Sequence, residues 1–148
     1  MTTGTLLGQL YGDAEMAAIL SDRSAIAAML RVEVALARAQ ADLGVIPAAA
    51  AEAIAQAAAS LNPDPAELSA AVAVAGIPAQ PVIAALKSAA GEAGGFAHYG
   101  ATSQDIQDTA LALQLVQALD LLDARLGQLA ALLAQKAADH AELPIPAR

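Results

Sequence analysis

An all-helical fold is what this sequence predicts, and three features carry the expectation. Hydrophobic residues make up 57% of the chain but aromatics only 2%, so the apolar content is chiefly alanine and leucine. These favour helix over the β-branched and aromatic pattern of strands. Apolar residues also recur at spacings of three and four, the period of an amphipathic helix. Lastly, residues 103–143 hold no proline and a single glycine, the profile of one long uninterrupted helix.

The elements follow in order. A short helix is expected from Asp13 to about Leu20, after which Ser21 or Asp22 caps a longer one running to about Leu43, with Gly44 as its stop. Met29, Val32, Leu36, Ala39 and Leu43 form its expected buried stripe, and Arg31, Arg38 and Asp42 lie opposite. Glu33 falls on the apolar side, where a carboxylate needs a partner; an ion pair with a neighbouring helix is the expected one. Pro47 opens the next helix, to about Ser60. LNPDPAEL is a turn, Asp64 or Pro65 begins a small helix ending at Gly76, and Pro78 and Pro81 break the chain before a helix at Val82–Ala90. GEAGGFAHYGATS reads as a flexible stretch. The helix from Ser103 should be about 55 Å long at 1.5 Å per residue. Leu115, Leu119, Leu122, Leu126, Leu129 and Leu133 give it a bundle seam, and Pro144 and Pro146 end it.

Composition excludes several functions. The net charge is −8 and the seven basic residues are scattered singly, which argues against nucleic-acid or anionic-membrane surfaces. There is no cysteine, hence no disulfide, thiolate nucleophile or Cys-ligated metal. The N-terminus lacks the basic start and apolar core of a secretory signal, and the uncharged stretch Leu68–Leu86 is interrupted by Gly76, Pro78, Gln80 and Pro81. A cytoplasmic, non-membrane protein is expected. The mean hydropathy of +0.52 is high for a soluble monomer, so some helices should be covered by partner subunits or by further chain.

The stretch from His98 to Thr109 carries the chemistry. A glycine-bearing loop leads into the longest helix, Thr102 or Ser103 stands at the N-cap, and Asp105 is spaced for a capping box. Such an end directs free backbone N–H groups and the positive pole of the helix at whatever lies in front, which suits a carboxylate. Two hydroxyls add donors, and His98 can donate a charge-assisted bond or move a proton. A cavity beside residues 98–105 is expected. By geometry alone the same residues also make an ordinary helix cap, and Asp105 and Asp108 could simply offset the dipole. His140, near the far helix end, reads as exposed or dipole-compensating.

HYGATSQDIQDTA resembles the first signature region of the fumarase/aspartase superfamily, Thr-Ser-x-Asp-x-x-x-Thr, which falls on Thr102, Ser103, Asp105 and Thr109. Its Gly-Ala-Thr-Ser-Gln-Asp form, after His and an aromatic, is closer to the 3-carboxymuconate cycloisomerase branch than to the adenylosuccinate lyases. Tyr99 departs from the Trp of that branch. YGDAEMAAILSDRSAIAAMLRVEVALARAQADLGVIP and GIPAQPVIAALK are similar to its earlier helices, so the resemblance spans nearly the whole chain. It implies an N-terminal helical domain over 1–102 and the first long helix of a central bundle over 103–148. It further implies a homotetramer whose active sites gather three signature regions from three subunits, a small polycarboxylate substrate, and no metal or organic cofactor. In that scheme His98 is catalytic, close to the substrate; Thr102 and Ser103 bind its carboxylate; Asp105 and Thr109 order the loop and helix start. LPIPAR resembles the approach to the second region, making Arg148 a substrate-binding residue and leaving the later regions, with their mobile serine loop, outside. On that basis the chain corresponds to about the first third of a subunit and is expected to be inactive alone. The alternatives are another lyase of the superfamily, such as an adenylosuccinate lyase, and a non-catalytic helical oligomerisation module.

Overall fold

The computed structural model describes residues 7–144, and among these it contains helices and no strand. They are α1 (Gly8–Tyr11), α2 (Ala14–Ile19), α3 (Asp22–Asp42), α4 (Ala48–Ser60), α5 (Pro65–Ala75), α6 (Ala79–Ala89), a 3-10 helix (Gly91–Phe96) and α7 (Ser103–Asp139). Pro146 and Arg148 lie outside the described residues.

Local chemistry sets most boundaries. The Asp13 carboxylate accepts the amides of Glu15 and Met16 at 3.1 and 3.0 Å to start α2. The Ser21 hydroxyl accepts the Ser24 amide at 3.2 Å to start α3. At the far end of α3, Gly44 takes φ 69°, the Val45 amide returns to the Gln40 carbonyl and the Gly44 amide to that of Ala41. That paired closure satisfies carbonyls the helix would otherwise leave open. Asp64 caps α5 through the Ala66 amide at 3.0 Å, with Pro65 in the first turn.

Several elements differ from the sequence expectation, among them α7, which ends at Asp139, five residues before the Pro144 expected to end it. Helix α6 starts at Ala79 rather than Val82, because Pro81 sits in its first turn, where a missing N–H removes no helical hydrogen bond. The stretch read as flexible opens with the ordered 3-10 helix, packed against α6 and α4.

Helix α3 is central, packing on α7 and α4 with α6 closing the other side. Ile54 of α4, Val82 and Leu86 of α6 and Ile106 of α7 are fully buried around it. Helix α3 buries Ile26, Ala28, Met29, Leu30, Glu33 and Ala37, a face rotated from the expected stripe. Val32 and Leu36 are half-buried, Ala39 is exposed and Leu43 is 80% exposed. Gln114 of α7 is buried and donates to the Ile19 carbonyl at 2.8 Å, fastening α7 across the α2–α3 corner. Arg125 extends that attachment, pairing with Asp13 and, at 2.8 Å, with Glu15.

Helix α7 has 37 residues, about 55 Å at 1.5 Å per residue. Its last buried residue is Ala118. The seam leucines from Leu115 to Leu133 are 44–62% exposed, so the second half presents an open apolar face. No single helix is long and apolar enough to cross a membrane. Helices α5 and α6 reach that composition only together, across a 118° bend, and α6 is built into the core.

The 3-10 helix approaches the last turn of α6 closely. A Cβ on Gly94 would stand 2.1 Å from the Lys87 carbonyl oxygen, a backbone atom that cannot swing aside. Gly94→Ala is therefore expected to destabilise the fold by about 1–3 kcal/mol, the usual range for overpacking. Urea denaturation checks it, as a lowered midpoint at unchanged slope; an unaltered midpoint would show that the two segments separate freely.

Candidate functional site at the head of the long helix

The site is built where α3 holds the loop that enters α7. Ala97 is buried after the 3-10 helix, and His98 follows with φ 59°. A left-handed non-glycine residue is held at a cost on the order of 1–3 kcal/mol, so its surroundings must over-determine it. Two side chains of α3 do so. Glu33 Oε1 lies 2.7 Å from His98 Nδ1, and Gln40 Nε2 donates to the Tyr99 carbonyl at 2.6 Å. Seven residues separate the two on α3, which puts them on one face, two turns apart.

Glu33 is 1% exposed, while the His98 side chain retains 15%. The partner expected for Glu33 on a neighbouring helix is therefore the loop histidine. The reason is the rotated stripe, which aims Glu33 at the loop. Gln40 went unremarked in the sequence; its spacing of seven from Glu33 was the available signal.

Beyond the loop, α7 begins with a complete capping box. Thr102 is the N-cap: its hydroxyl donates to Asp105 Oδ2 at 2.7 Å and accepts the Asp105 amide at 3.4 Å, and its own amide donates to Asp105 Oδ2 at 3.0 Å. The hydrogen bond from the Thr102 hydroxyl, then that from its amide, holds the Asp105 carboxyl below its usual pKa, with His98 adding a smaller electrostatic contribution. The half-buried Ser103 is not part of the box. At the first two positions of a helix, as Ser103 and Gln104 are here, the amides have no intrahelical acceptor. Thr109 is exposed, two turns into α7 and outside the box. His140 forms the C-cap of α7, close to Lys136 in the last turn, and belongs to no part of this site. Arg148 is not among the described residues.

Within residues 98–104 this junction thus holds an imidazole, a hydroxyl outside the cap and two amides at the positive end of a helix, donor types suited to a carboxylate. Two of the grooves in the described chain bear on this. One of about 620 Å³ runs between α3 and α4, beside Arg23, Leu30 and Arg38. The other, about 650 Å³, lies among α3, α5, α6 and α7, beside Met29, Val72 and Gln107. Neither is lined by His98, Thr102 or Ser103. Of the stretch 98–105, beside which a cavity is expected, Gln104 borders the second groove. Among the described residues no cluster of three or more His, Asp or Glu side chains is arranged to hold a metal.

Comparison with known proteins bears on the same residues. Positions 12–148 match the lyase family profile. The chain belongs to the fumarate lyase superfamily. It is 43% identical to 3-carboxy-cis,cis-muconate cycloisomerase of Pseudomonas putida over 99% of its own length and 36% of that enzyme's. It is 42% identical to N-acetyl-S-(2-succino)cysteine lyase of Dickeya dadantii over 79% of its length and 26% of that protein's. The crystal structure of the 3-carboxy-cis,cis-muconate lactonizing enzyme from Pseudomonas putida superposes with a TM-score of 0.89 at 42% identity, over 97% of this chain and 34% of that one. The chain therefore spans about a quarter to a third of the length of these superfamily members.

The capping box gives this end of the superfamily fold a defined acid response. Asp105 has a folded pKa below its ordinary value of 3.8. Its contribution to stability is then fully present above that value and is lost as pH falls through the lower, folded one. The stability difference between the wild type and Asp105→Asn should be constant near neutrality and close in acid. Thr102→Ala removes the main cause of the shift, so the closing moves to higher pH, and the lost cap costs about 0.5–2 kcal/mol. Denaturant melts across the acid range measure both; a difference that does not vary with pH would dissociate Asp105 from the cap.

Proposed function

We propose that these residues form the N-terminal part of a cycloisomerase subunit that closes 3-carboxy-cis,cis-muconate to its lactone, a step of aromatic catabolism through protocatechuate in the cytoplasm. The carrying observation is the head of α7. Ser103, with its own amide and that of Gln104, opens the helix there, five residues after the His98 that Glu33 holds, in a chain 43% identical over nearly its whole length to an enzyme of that name.

The reaction adds one carboxylate oxygen of the substrate across a double bond of the same molecule, forming a C–O bond while the neighbouring carbon takes up a proton. Negative charge accumulating beside the other carboxylate has to be stabilised, and donors fixed before the reaction do this best. Ser103 and the two amides hold that carboxylate, and Thr102 fixes them in place through the cap. His98 stands beside the substrate as a proton-transfer group, Asp105 and Thr109 order the helix start, and Arg148 contributes to substrate binding. The reaction needs no metal or organic cofactor.

Division at the start of α7, with residues 1–102 as one domain and 103–148 joining a central bundle, fits the open apolar face of α7. Leucines from Leu115 to Leu133 at half exposure form a patch of the kind helices of other subunits cover, which supports a homotetramer. The partners of this reading are a small polycarboxylate and copies of the same subunit.

The test uses a subunit of the relatives' full length that carries these residues. Loss of the conjugated-diene absorbance of 3-carboxy-cis,cis-muconate is the expected result. Turnover confined to succinyl adducts would move the assignment to the succinocysteine or adenylosuccinate lyases, and a stable oligomer binding no polycarboxylate would make it an assembly module. In the active subunit, Ser103→Ala should reduce kcat/KM by the equivalent of about 1–3 kcal/mol, the loss of a hydrogen bond to a charged group. Unchanged steady-state kinetics would remove Ser103 from the site.

A further inference from the structure

Glu33 is the one acidic side chain buried in the core of the described chain, and the proposed reaction leaves it without a chemical task. Its Oε1 meets His98 Nδ1 at 2.7 Å, while Oε2 is buried without a partner. A carboxylate withdrawn from water in this way is costly unless its charge is used. Apolar residues fill the same stripe on either side, at Leu30 and Ala37, so an aliphatic side chain would satisfy packing there. A histidine held at φ 59° is a second departure from the easiest structure, and the two departures meet in one hydrogen bond.

We infer that Glu33 is a positioning residue that fixes His98 as the Nδ1–H tautomer and reserves Nε2 for the substrate. A carboxylate only accepts, so the 2.7 Å contact requires the proton on Nδ1. Free imidazole has no such constraint, and which nitrogen of a histidine is available is decided by the bond the other one makes. Gln40, two turns along α3, fixes the following residue through the Tyr99 carbonyl, so the ring cannot turn away by moving its backbone. Oε2 remains open to a further donor.

The inference rests on the proposed role of His98 in catalysis, but its structural half is separately measurable. The chain has only two histidines, so His140→Gln leaves one imidazole for nitrogen-15 NMR, recorded where the ring is neutral. The wild-type ring should show Nδ1 protonated and Nε2 bare. Glu33→Gln keeps the volume and an accepting oxygen and should preserve that pattern, whereas Glu33→Leu should release it. In the full-length subunit, Glu33→Leu should lower kcat on the order of 10²-fold, the scale of general acid–base catalysis, with KM little changed and Glu33→Gln largely restoring turnover. A wild-type ring protonated on Nε2 overturns the inference whatever the substrate, and remains decisive if Glu33→Leu fails to fold. Equal kcat in a folded Glu33→Leu subunit also overturns it. The Nδ1–H tautomer in a protein that does not consume 3-carboxymuconate leaves Glu33 in its role and removes the substrate reading alone.

Discussion

A carboxylate inside a helical core has to find a donor, and that requirement organises this structure. Glu33 sits in the stripe that α3 presents to α4, α6 and α7, and the donor that reaches it belongs to the loop before α7. The loop is drawn onto α3, with Ala97 and Ile106 buried on its two sides. Breaking such a bond from one side would strand a buried charge, which is far more costly than the bond's net stabilisation. The head of the longest helix is consequently placed by a side chain 65 residues earlier. Sequence-local forces, capping and dipole, then refine what that long-range contact positions.

Helix α7 shows two regimes along one rod. Over its first four turns, Ile106, Ala110, Gln114 and Ala118 face the core at spacings of four, and tertiary burial supports the helix. Beyond Ala118, apart from the pairing of Arg125 with Asp13 and Glu15, the support is intrinsic: alanine and leucine dominate, and each loses little side-chain freedom in a helix. Propensity keeps the backbone helical but does nothing for the leucines, which remain at half exposure. An apolar face that long is what the proposed bundle would cover, and the capped, packed end would fix where its helices lie relative to His98 and Ser103.

How much of this was legible in the sequence depends on the range of the force involved. Caps are local, and Asp13, Ser21, Gly44, Asp64 and the Thr102–Asp105 box stand where residue chemistry put them. The period of an amphipathic helix is local too, so the existence of α3, α4 and α7 and the extent of α3 and α4 could be read directly, while α7 stops at Asp139, short of the prolines expected to end it. The rotational phase of α3 could not. Its alternation of Ala, Leu and Val admits two overlapping stripes, and contact with α6 and the loop selects the one containing Glu33. Pro81 is ambiguous for a different reason: a proline two residues into a helix and one just before it look alike in sequence. The 3-10 helix depends on Gly94 meeting a carbonyl of α6, which no window of sequence contains. For the candidate site, the cap and the helix end were readable; the bond from Glu33 to His98 and that from Gln40 to Tyr99 were not.

An anion approaching this site meets opposing fields, and their balance says what the site still needs. The chain carries a net charge of −8, and the ionised Asp105 lies within the first turn of α7. Against them stand the helix end, equivalent to about half a positive charge, and whatever proton His98 holds. The Thr102 hydroxyl offers no help, since its hydrogen is committed to Asp105; the two neighbouring hydroxyls are not interchangeable, and only Ser103 is outside the cap. Three donors, one hydroxyl and two amides, come close to satisfying a single carboxylate, which accepts at about four sites. A substrate with several carboxylates has to find its remaining donors and its compensating positive charge on other elements. An arginine is the group that supplies both in planar, paired form, so under the proposed function the head of α7 would form one wall of the site and an arginine on another element would complete it.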